Sequence, residues 1–270
     1  MSRIAPPPHR QQPGTAITQT LERGLEVLRA FDCEPRSLSN RIIAERTGLP
    51  KSAVTRITST LVSLGYLNRT PGLGHYQLGA RVFDIGNAYL ERSALRRVAR
   101  PVMERFADRR DVSCGLAIAD RKQMIYVVWC PAPKTLTLRL AAGSKLPMAR
   151  TAIGKAYLWA LPPAERRDVL ALIKQSAREH ADEVMTGIKT AFNDLDQHGY
   201  CISIAEFQKN TFGIAVPIVL DDGQTVLSLN AGGARLDVTE AFLRRNIAPD
   251  LITTAAELRS AIADAHAFDF

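Results

Sequence analysis

The sequence predicts an α+β protein of two parts: a small N-terminal domain of helices with a strand hairpin, and a larger α/β domain with a largely antiparallel sheet. Three observations support this. Two short amphipathic segments meet at Gly48, two short strand patterns follow them, and from Val112 strands alternate with helices. The 270 residues suit two domains of about 100–200 residues each.

The N-terminal domain is predicted to contain a helix-turn-helix between residues 38 and 67. The apolar stripe of its first helix is Leu38, Ile42, Ile43 and Ala44, and that of its second is Val54, Ile57, Leu61 and Leu64. Gly48 can take the left-handed conformation that ends a helix, and Pro50 suits the start of the next. A further helix at 16–32, with Ile17, Leu21, Leu25, Leu28 and Phe31 on one face, is expected to pack behind the pair. Ser37 or Ser39 can cap the helix that follows.

The outward face of the second helix is polar and contains no acidic residue. It consists of Lys51, Ser52, Thr55, Arg56 and Ser59. Cationic and hydroxyl side chains suit phosphates and base edges in the major groove of duplex DNA. A helical hairpin with a solvated polar face is the alternative, and the segment that comes next argues against it.

Short strands are predicted at 67–69 and 75–78, joined by a glycine-containing loop. A hairpin at this place makes a winged helix, in which Arg69 and His75 can reach a DNA backbone or minor groove. The segment GLGHYQLG (72–79) superficially resembles a nucleotide-binding loop. However, it lacks the P-loop lysine and does not lie between a strand and a helix of a βαβ unit.

The net positive charge is concentrated in the part of the chain that carries this motif. Residues 1–110 hold 18 Lys+Arg and 9 Asp+Glu, a net charge of +9, whereas residues 111–270 hold 17 and 18, a net charge of −1; together they make the +8 of the chain. A cationic N-terminal part on a nearly neutral remainder is typical of a protein that binds a polyanion.

Composition excludes several classes of protein. No run of about 18 apolar residues occurs, so no membrane span or membrane partner is expected. Residues 1–15 lack a signal-peptide core and are expected to form a disordered arm on a cytoplasmic protein. The four cysteines contain no CxxC pair and are expected to be buried thiols, so neither a metal nor a cofactor is predicted.

Residues 80–110 are predicted to form a helical linker with a break near Ser93. Its outer face is basic, and it can either pack against a second copy or be solvated; the residues are Arg92, Arg96, Arg97, Arg100, Arg105, Arg109 and Arg110. The domain of residues 111–263 follows, with strands at 113–119, 123–130, 136–140, 199–203, 213–220 and 225–230. Its helices are expected from Thr151 and at 165–172, 186–198, 238–246 and 250–262, before a tail at 264–270. The hairpin order of the strands favours an antiparallel sheet.

Six segments resemble the IclR family of bacterial transcriptional regulators. LERGLEVLRAF (21–31), LPKSAVTRITSTLVSLGYL (49–67) and YQLGARVFDIG (76–86) are similar to its DNA-binding half, and LPMARTAIGKA (146–156), GYCISIAE (199–206) and IAVP (214–217) to its effector-binding half. The resemblance implies a winged helix-turn-helix at 16–79, a linker at 80–110 and a GAF-like effector-binding domain at 111–263. It also implies a homodimer or a dimer of dimers on a palindromic operator, more often repressing than activating.

By position, the resemblance places the effector against Arg150, Thr151, Ala152, Gly154, Gly213, Ser228 and Asn230. Asn210 and the pair Asn230-Ala231 depart from the family pattern of glycine and Ser-Gly, so the identity of the effector stays open. Thr151 at a helix start offers a hydroxyl and backbone N–H groups that suit a carboxylate, and Arg150 or Lys155 can add charge unless the lysine is solvated. Ser228 and Asn230 share one face of a strand.

We therefore expect a ligand-responsive DNA-binding regulator, more often a repressor, of a catabolic operon, with a small organic acid as effector. The alternative is an enzyme that acts through the C-terminal domain and uses the winged helix as an adaptor. No GxSxG, HExxH, Walker or dinucleotide motif appears, and the five histidines are scattered. An adaptor that uses the winged helix for protein contacts is a third possibility, disfavoured by Lys51 and Arg56 on the outward face.

Overall fold

A computed structural model describes residues 18–32, 36–134, 140–220, 223, 225–234 and 238–265. The chain forms two compact units, which divide after Arg92. The expected arm (1–15), most of the expected strand at 136–140 and most of the tail lie outside the described residues.

The first unit contains four helices and three short strands among its described residues. They are α1 (Gln19–Arg29) with a 3-10 turn (Ala30–Asp32), β1 (Leu38–Ser39), α2 (Asn40–Thr47), α3 (Lys51–Ser63), β2 (Leu67–Thr70), β3 (His75–Leu78) and α4 (Arg81–Arg92). Gly48 has φ +70° and donates its N–H to the Ala44 carbonyl at 2.8 Å. Ser39 Oγ accepts from the Ile42 N–H at the start of α2. The predicted turn, cap and wing hairpin are therefore confirmed.

Three expectations for this unit are wrong. Leu64 does not continue the buried apolar stripe of α3; it follows the last residue of the helix and is exposed. Leu38 does not lie on a helix; it is buried in β1, opposite Tyr76 of β3, so that the small sheet has the antiparallel order β1-β3-β2. Leu21 and Leu25 do not pack behind the helix-turn-helix but are exposed. The core residue of α1 is instead Val27, because only the C-terminal end of the helix and the turn after it reach the unit's core.

The second unit is built on a six-stranded sheet of order β6-β5-β4-β9-β8-β7, antiparallel throughout as expected. Its described elements are α5 (Ala94–Arg110), β4 (Ser113–Asp120), β5 (Gln123–Cys130), β6 (Lys145–Pro147), a 3-10 turn (Met148–Arg150), α6 (Ala152–Ala160), α7 (Pro163–Ala177), a second 3-10 turn (Arg178–His180), α8 (Ala181–His198), β7 (Cys201–Ile204), β8 (Thr211–Val219), β9 (Val226–Ala234), α9 (Glu240–Phe242), a π-helix (Leu243–Ile247) and α10 (Ala248–Asp264). β6 was not expected from the sequence.

Helices cover both faces of this sheet. One apolar cluster joins the sheet to α5 and α10, with Phe106 and Leu258 fully buried. The other joins it to α6, α7 and α8, through Leu158, Ile173 and Ile188 among others. Pro249 does not interrupt the closing helix as expected. It lies in the first turn of α10, where a missing N–H costs little, and the π-helix leads into it.

α5 belongs to the core of the second unit, and the break before it falls at Ser93, whose Oγ accepts from the Arg96 N–H. Its arginines are largely paired within the unit. The contacts are Arg96 with the Val127 carbonyl, Arg100 with Glu104, Arg105 with Glu257, and Arg109 and Arg110 with Asp250. Four of the seven arginines expected on the basic face thus pair with three carboxylates, those of Glu104, Glu257 and Asp250. In the part of the chain that the structure describes, no helix is long and apolar enough to span a membrane.

Candidate nucleic-acid interface and ligand pocket

The polar face of α3 is exposed as the sequence indicates. Val54, Thr58 and Leu61 are buried on its inner side. The five candidate DNA-binding residues of the helix are exposed on the other side: Lys51, Ser52, Thr55, Arg56 and Ser59. The helix contains no carboxylate, so its outer surface presents two cations among hydroxyl groups.

Asn40, which the sequence analysis did not single out, joins α2 to α3. Its Nδ2 donates to Thr55 Oγ1 at 3.2 Å, and its Oδ1 accepts from Thr58 Oγ1 at 3.3 Å. Thr55 Oγ1 donates in turn to the Lys51 carbonyl at 3.0 Å. The Thr55 hydroxyl is therefore already engaged within the motif. No local pattern reveals this link, because the partners lie 15 and 18 residues apart.

The two candidate residues of the wing have different environments. Arg69 on β2 is exposed. His75 on β3 is half-buried, with its Nδ1 3.3 Å from Ser37 Oγ and its backbone opposite both Ser39 and Thr70. Arg69 is thus free to extend from the wing, whereas His75 lies next to the loop of the hairpin, where β3 also pairs with β1.

A pocket lies against α6 and strands β5, β8 and β9, with an open volume of about 50 Å³. Four of the seven predicted effector-binding residues line it: Thr151, Ala152, Gly213 and Asn230. The rest of the lining is largely aromatic and aliphatic and was not predicted from the sequence: Tyr126, Trp129, Leu140, Leu146, Ile153, Ser203, Phe207, Thr211, Phe212, Gly232 and Gly233. No charged side chain belongs to the described lining.

The other three predicted residues do not line the pocket. Arg150 is exposed, with Nη2 3.7 Å from Glu183 Oε1. Gly154 allows α6 to approach the preceding turn, since a Cβ there would lie 2.1 Å from the Met148 carbonyl oxygen. Ser228 is fully buried, and among the described side chains its Oγ is the buried polar atom that has no hydrogen-bond partner.

α6 begins where the sequence predicts, and the side chain of Thr151 caps it. Its Oγ1 donates to the Pro147 carbonyl at 2.8 Å and accepts from the Gly154 N–H at 3.3 Å. The first turn of a helix leaves backbone N–H groups without intrahelical acceptors, and the helix dipole favours an anion there. Because Thr151, Ala152 and Ile153 line the pocket, this helix start faces the space where a ligand would sit.

Lys155, one turn into α6, supplies no charge to the pocket. Its side chain is 1% exposed, and its Nζ lies 2.5 Å from Glu206 Oε2. Glu206 precedes Phe207, which lines the pocket. The lysine is therefore neither solvated nor a lining residue, but ties the segment after β7 to α6.

Across the sheet, Tyr126 Oη on β5 donates to Asn230 Oδ1 on β9 at 3.0 Å. Both residues are buried, and both line the pocket. Burial raises the pKa of Tyr126 above its usual value, so the phenol keeps its proton. Within the described residues, no cluster of three or more His, Cys, Asp or Glu side chains is placed to hold a metal ion.

A cationic winged helix in one unit and an aromatic-lined pocket in the other define a DNA-binding regulator that responds to a small molecule. The chain belongs to the IclR family of bacterial transcriptional regulators. Residues 20–71 match the IclR helix-turn-helix domain, and residues 87–260 match the family described as bacterial transcriptional regulator IclR C-terminal.

Individual relatives agree with this assignment. The chain is 30% identical over 250 residues to the HTH-type transcriptional regulator TsaQ1/TsaQ2 of Comamonas testosteroni, covering 92% of this chain and 90% of that protein. It is 36% identical to an IclR family transcriptional regulator from Brucella abortus, with a TM-score of 0.85 over 91% of this chain and 92% of the other. The fold also matches an IclR homolog from Microbacterium hydrocarbonoxydans complexed with 4-hydroxybenzoate, at 21% identity and a TM-score of 0.65 over 91% and 99% of the chains. These relatives are regulators, so the enzyme alternative is not supported.

Proposed function

We propose that two copies of this regulator bind a palindromic operator in duplex DNA through their α3 helices. The exposed face of α3 carries the proposal, because Lys51 and Arg56 stand there without any carboxylate on the helix. The two cations contact phosphates, while Ser52 and Ser59 reach phosphates or base edges. The hydroxyl proton of Thr55 goes to the Lys51 carbonyl, so this residue contributes its exposed methyl group, which can contact a base edge.

The wing adds a contact through Arg69, whose exposure leaves it free to reach the DNA backbone. His75 has a lesser part in this proposal. Its contact with Ser37, together with the pairing of its backbone with Ser39, supports a role in holding the loop end of the wing to β1.

The second copy is proposed to cover apolar side chains that α1 and α4 leave exposed: Leu21, Leu25, Phe83, Ile85 and Tyr89. α4 buries none of its side chains, and a helix of 12 residues is only marginally stable in water without packing. A two-fold dimer would match a palindrome with half-sites about 34–36 Å apart or a multiple of that. Pairing of two dimers, which the family resemblance implies, would give a tetramer.

The effector is proposed to be a small organic acid, with its carboxylate at the start of α6 beside Thr151 and its carbon skeleton among the aromatic rings. The Microbacterium protein of the same fold holds 4-hydroxybenzoate, which supports an aromatic acid. The open volume of about 50 Å³ is smaller than the roughly 150 Å³ cavity that accepts benzene. The pocket must therefore widen to admit an aromatic ligand. Ser228 lies two residues before Asn230 on β9, and its unpaired Oγ could bond to the ligand if the pocket widens toward Ser228.

We propose that the protein represses a catabolic operon and acts in the bacterial cytoplasm, where the chromosome lies. The test is selection of bound fragments from its own genomic DNA, followed by gel-shift titration with and without candidate acids. Enrichment of a palindromic site whose affinity changes when an acid is added is the expected result. Equal retention of all fragments, or no binding to DNA, would refute the proposal.

A further inference from the structure

The side chains of Tyr126 and Asn230 meet across an intervening strand, at a glycine that leaves space for both. β4 runs between β5 and β9, and Gly115 of β4 pairs with Asn230 on one side and Trp129 on the other. A Cβ at Gly115 would lie 2.1 Å from Tyr126 Cε1 and 2.8 Å from Asn230 Oδ1. Only glycine leaves room for the phenol to cross β4 and bond to the amide.

This bond sets which end of the Asn230 amide faces the pocket. Oδ1 is taken by the phenol, and Nδ2 lies on the other side, 3.3 Å from where a Cβ of Gly232 would be. Gly232 lines the pocket together with Asn230. The asparagine is only 6% exposed, and among the described residues its Nδ2 has no hydrogen-bond partner.

The phenol is suited to hold the amide in this orientation. Desolvation by burial raises the pKa of Tyr126, so the group stays a protonated donor throughout the physiological range. Asn230 Oδ1 is its hydrogen-bond partner within the described residues. Rotation of the amide by half a turn would place the amide nitrogen at the phenol and leave its oxygen toward the pocket, exchanging the donor there for an acceptor.

We propose that Tyr126 is a positioning residue that holds the Asn230 amide with its N–H2 group toward the pocket, so that the effector must offer a hydrogen-bond acceptor there, a carboxylate or carbonyl oxygen. This rests on the proposed function of the pocket as the effector site. The lining contains no charged side chain, so recognition of the acceptor falls to neutral donors. A ligand that brings a donor or an apolar group to this point would cover the Asn230 N–H2 group and leave it without a partner, which is unfavourable.

The test uses the full chain and matched probes of similar shape. They are propionate with 1-propanol, benzoate with benzyl alcohol, and 4-hydroxybenzoate with 4-hydroxybenzyl alcohol. Binding to wild type is measured by thermal shift and calorimetry. At least one acid is expected to bind about tenfold or more tightly than its alcohol, which is the scale of one hydrogen bond to a charged group.

Three variants separate positioning from general damage. Asn230→Asp keeps the bond to Tyr126 but replaces the pocket-facing donor with an oxygen, and should weaken acid binding more than about tenfold while sparing the alcohol. Tyr126→Phe keeps the ring but removes the hydroxyl that holds the Asn230 amide. The ratio of the dissociation constant of the alcohol to that of the acid should therefore fall toward one. Tyr157→Phe, a partly buried tyrosine of α6 outside the pocket lining, should leave the preference unchanged.

The inference is overturned if Asn230→Asp binds the acids as wild type does, if Tyr126→Phe retains the wild-type preference, or if wild type binds none of the probes. Should Tyr126→Phe fail to fold, the Asn230→Asp result decides by itself. Operator binding by the same wild-type preparation is measured in parallel. Its absence would count against the proposed function, whereas its presence with a failed probe test counts only against the role of Tyr126.

Discussion

Lys155 Nζ lies 2.5 Å from Glu206 Oε2, and the two side chains differ sharply in exposure, at 1% and 37%. Gly187 of α8 borders the pair, and a Cβ there would be in ordinary contact with both groups, 3.4 Å from the carboxylate and 3.5 Å from the ammonium. A buried charge is tolerated only when it is paired. The pair therefore fixes the segment that carries Phe207, a wall of the pocket, to α6.

Glu206→Gln leaves the Lys155 ammonium buried without a counter-charge. We expect a loss of about 2–4 kcal/mol in the free energy of unfolding of the second unit, somewhat less than for a fully buried pair because Glu206 is partly exposed. The double variant Lys155→Met with Glu206→Gln should recover most of the lost free energy of unfolding. Urea unfolding followed by tryptophan fluorescence measures this unit alone, because both tryptophans, Trp129 and Trp159, lie in it. A double variant as unstable as Glu206→Gln would contradict the account.

Asp250 should make the stability of the second unit sensitive to acid. The hydrogen bond from Arg110, helped by the charge of Arg109, lowers the pKa of this carboxyl in the folded state. Because the folded pKa is below the unfolded value of about 3.9, the stabilisation is complete above that value and is lost as pH falls through the folded pKa. Asp250→Asn should cost about 1 kcal/mol at pH 7, and the difference from wild type should shrink as pH falls below the unfolded value and disappear below the folded pKa.

The matched control is Asp264→Asn, at the other end of the same helix, where no ion pair is found among the described residues. Calorimetric melting of wild type and both variants from pH 7 downward makes the comparison. If the difference in stability between wild type and Asp250→Asn does not change with pH, the ionised pair is not the source of that difference.

Phe83 tests the proposed dimer surface on α4. The ring is 72% exposed in the single chain, on a helix that buries nothing. Phe83→Glu should raise the dimer dissociation constant by about tenfold or more, since a central aromatic contact commonly contributes over 1 kcal/mol. Sedimentation equilibrium measures the change. Leu172→Glu, at another exposed apolar residue, on α7, is the control; equal effects of the two substitutions would exclude a specific role for α4.

Features that depend on neighbouring residues could be predicted from the sequence. The turn at Gly48 and the cap at Thr151 each involve partners within four positions, and the strand hairpins follow from alternation around polar turns. The start of α6 near Thr151 followed from the same local chemistry, whereas the place of Thr151 and Ala152 in the pocket lining was implied by the resemblance to the IclR family.

Features that depend on distant partners could not be predicted. Leu38 was expected in a helix, but it pairs with Tyr76 and lies in a strand. Tyr126 and Asn230 are 104 residues apart, so no spacing rule joins them. Arg150 was expected in the pocket from its charge and position, but its side chain points to solvent, toward Glu183. The direction of a long exposed side chain depends on tertiary contacts that a helix-start pattern does not contain.

The most direct measurement of the central claim is the salt dependence of binding to the selected operator by wild type and Arg56→Ala. Log Kobs should fall linearly with log salt concentration, at about −0.9 per phosphate contacted, and Arg56→Ala should bind more weakly with a slope shallower by about one contact. Arg259→Ala removes the same charge from an exposed position on α10, and its slope and affinity should match those of wild type. Both variants should still bind the probes in the pocket. A slope near zero for wild type, or identical slopes and affinities for wild type and Arg56→Ala, would contradict the assignment of α3 as the DNA-binding surface.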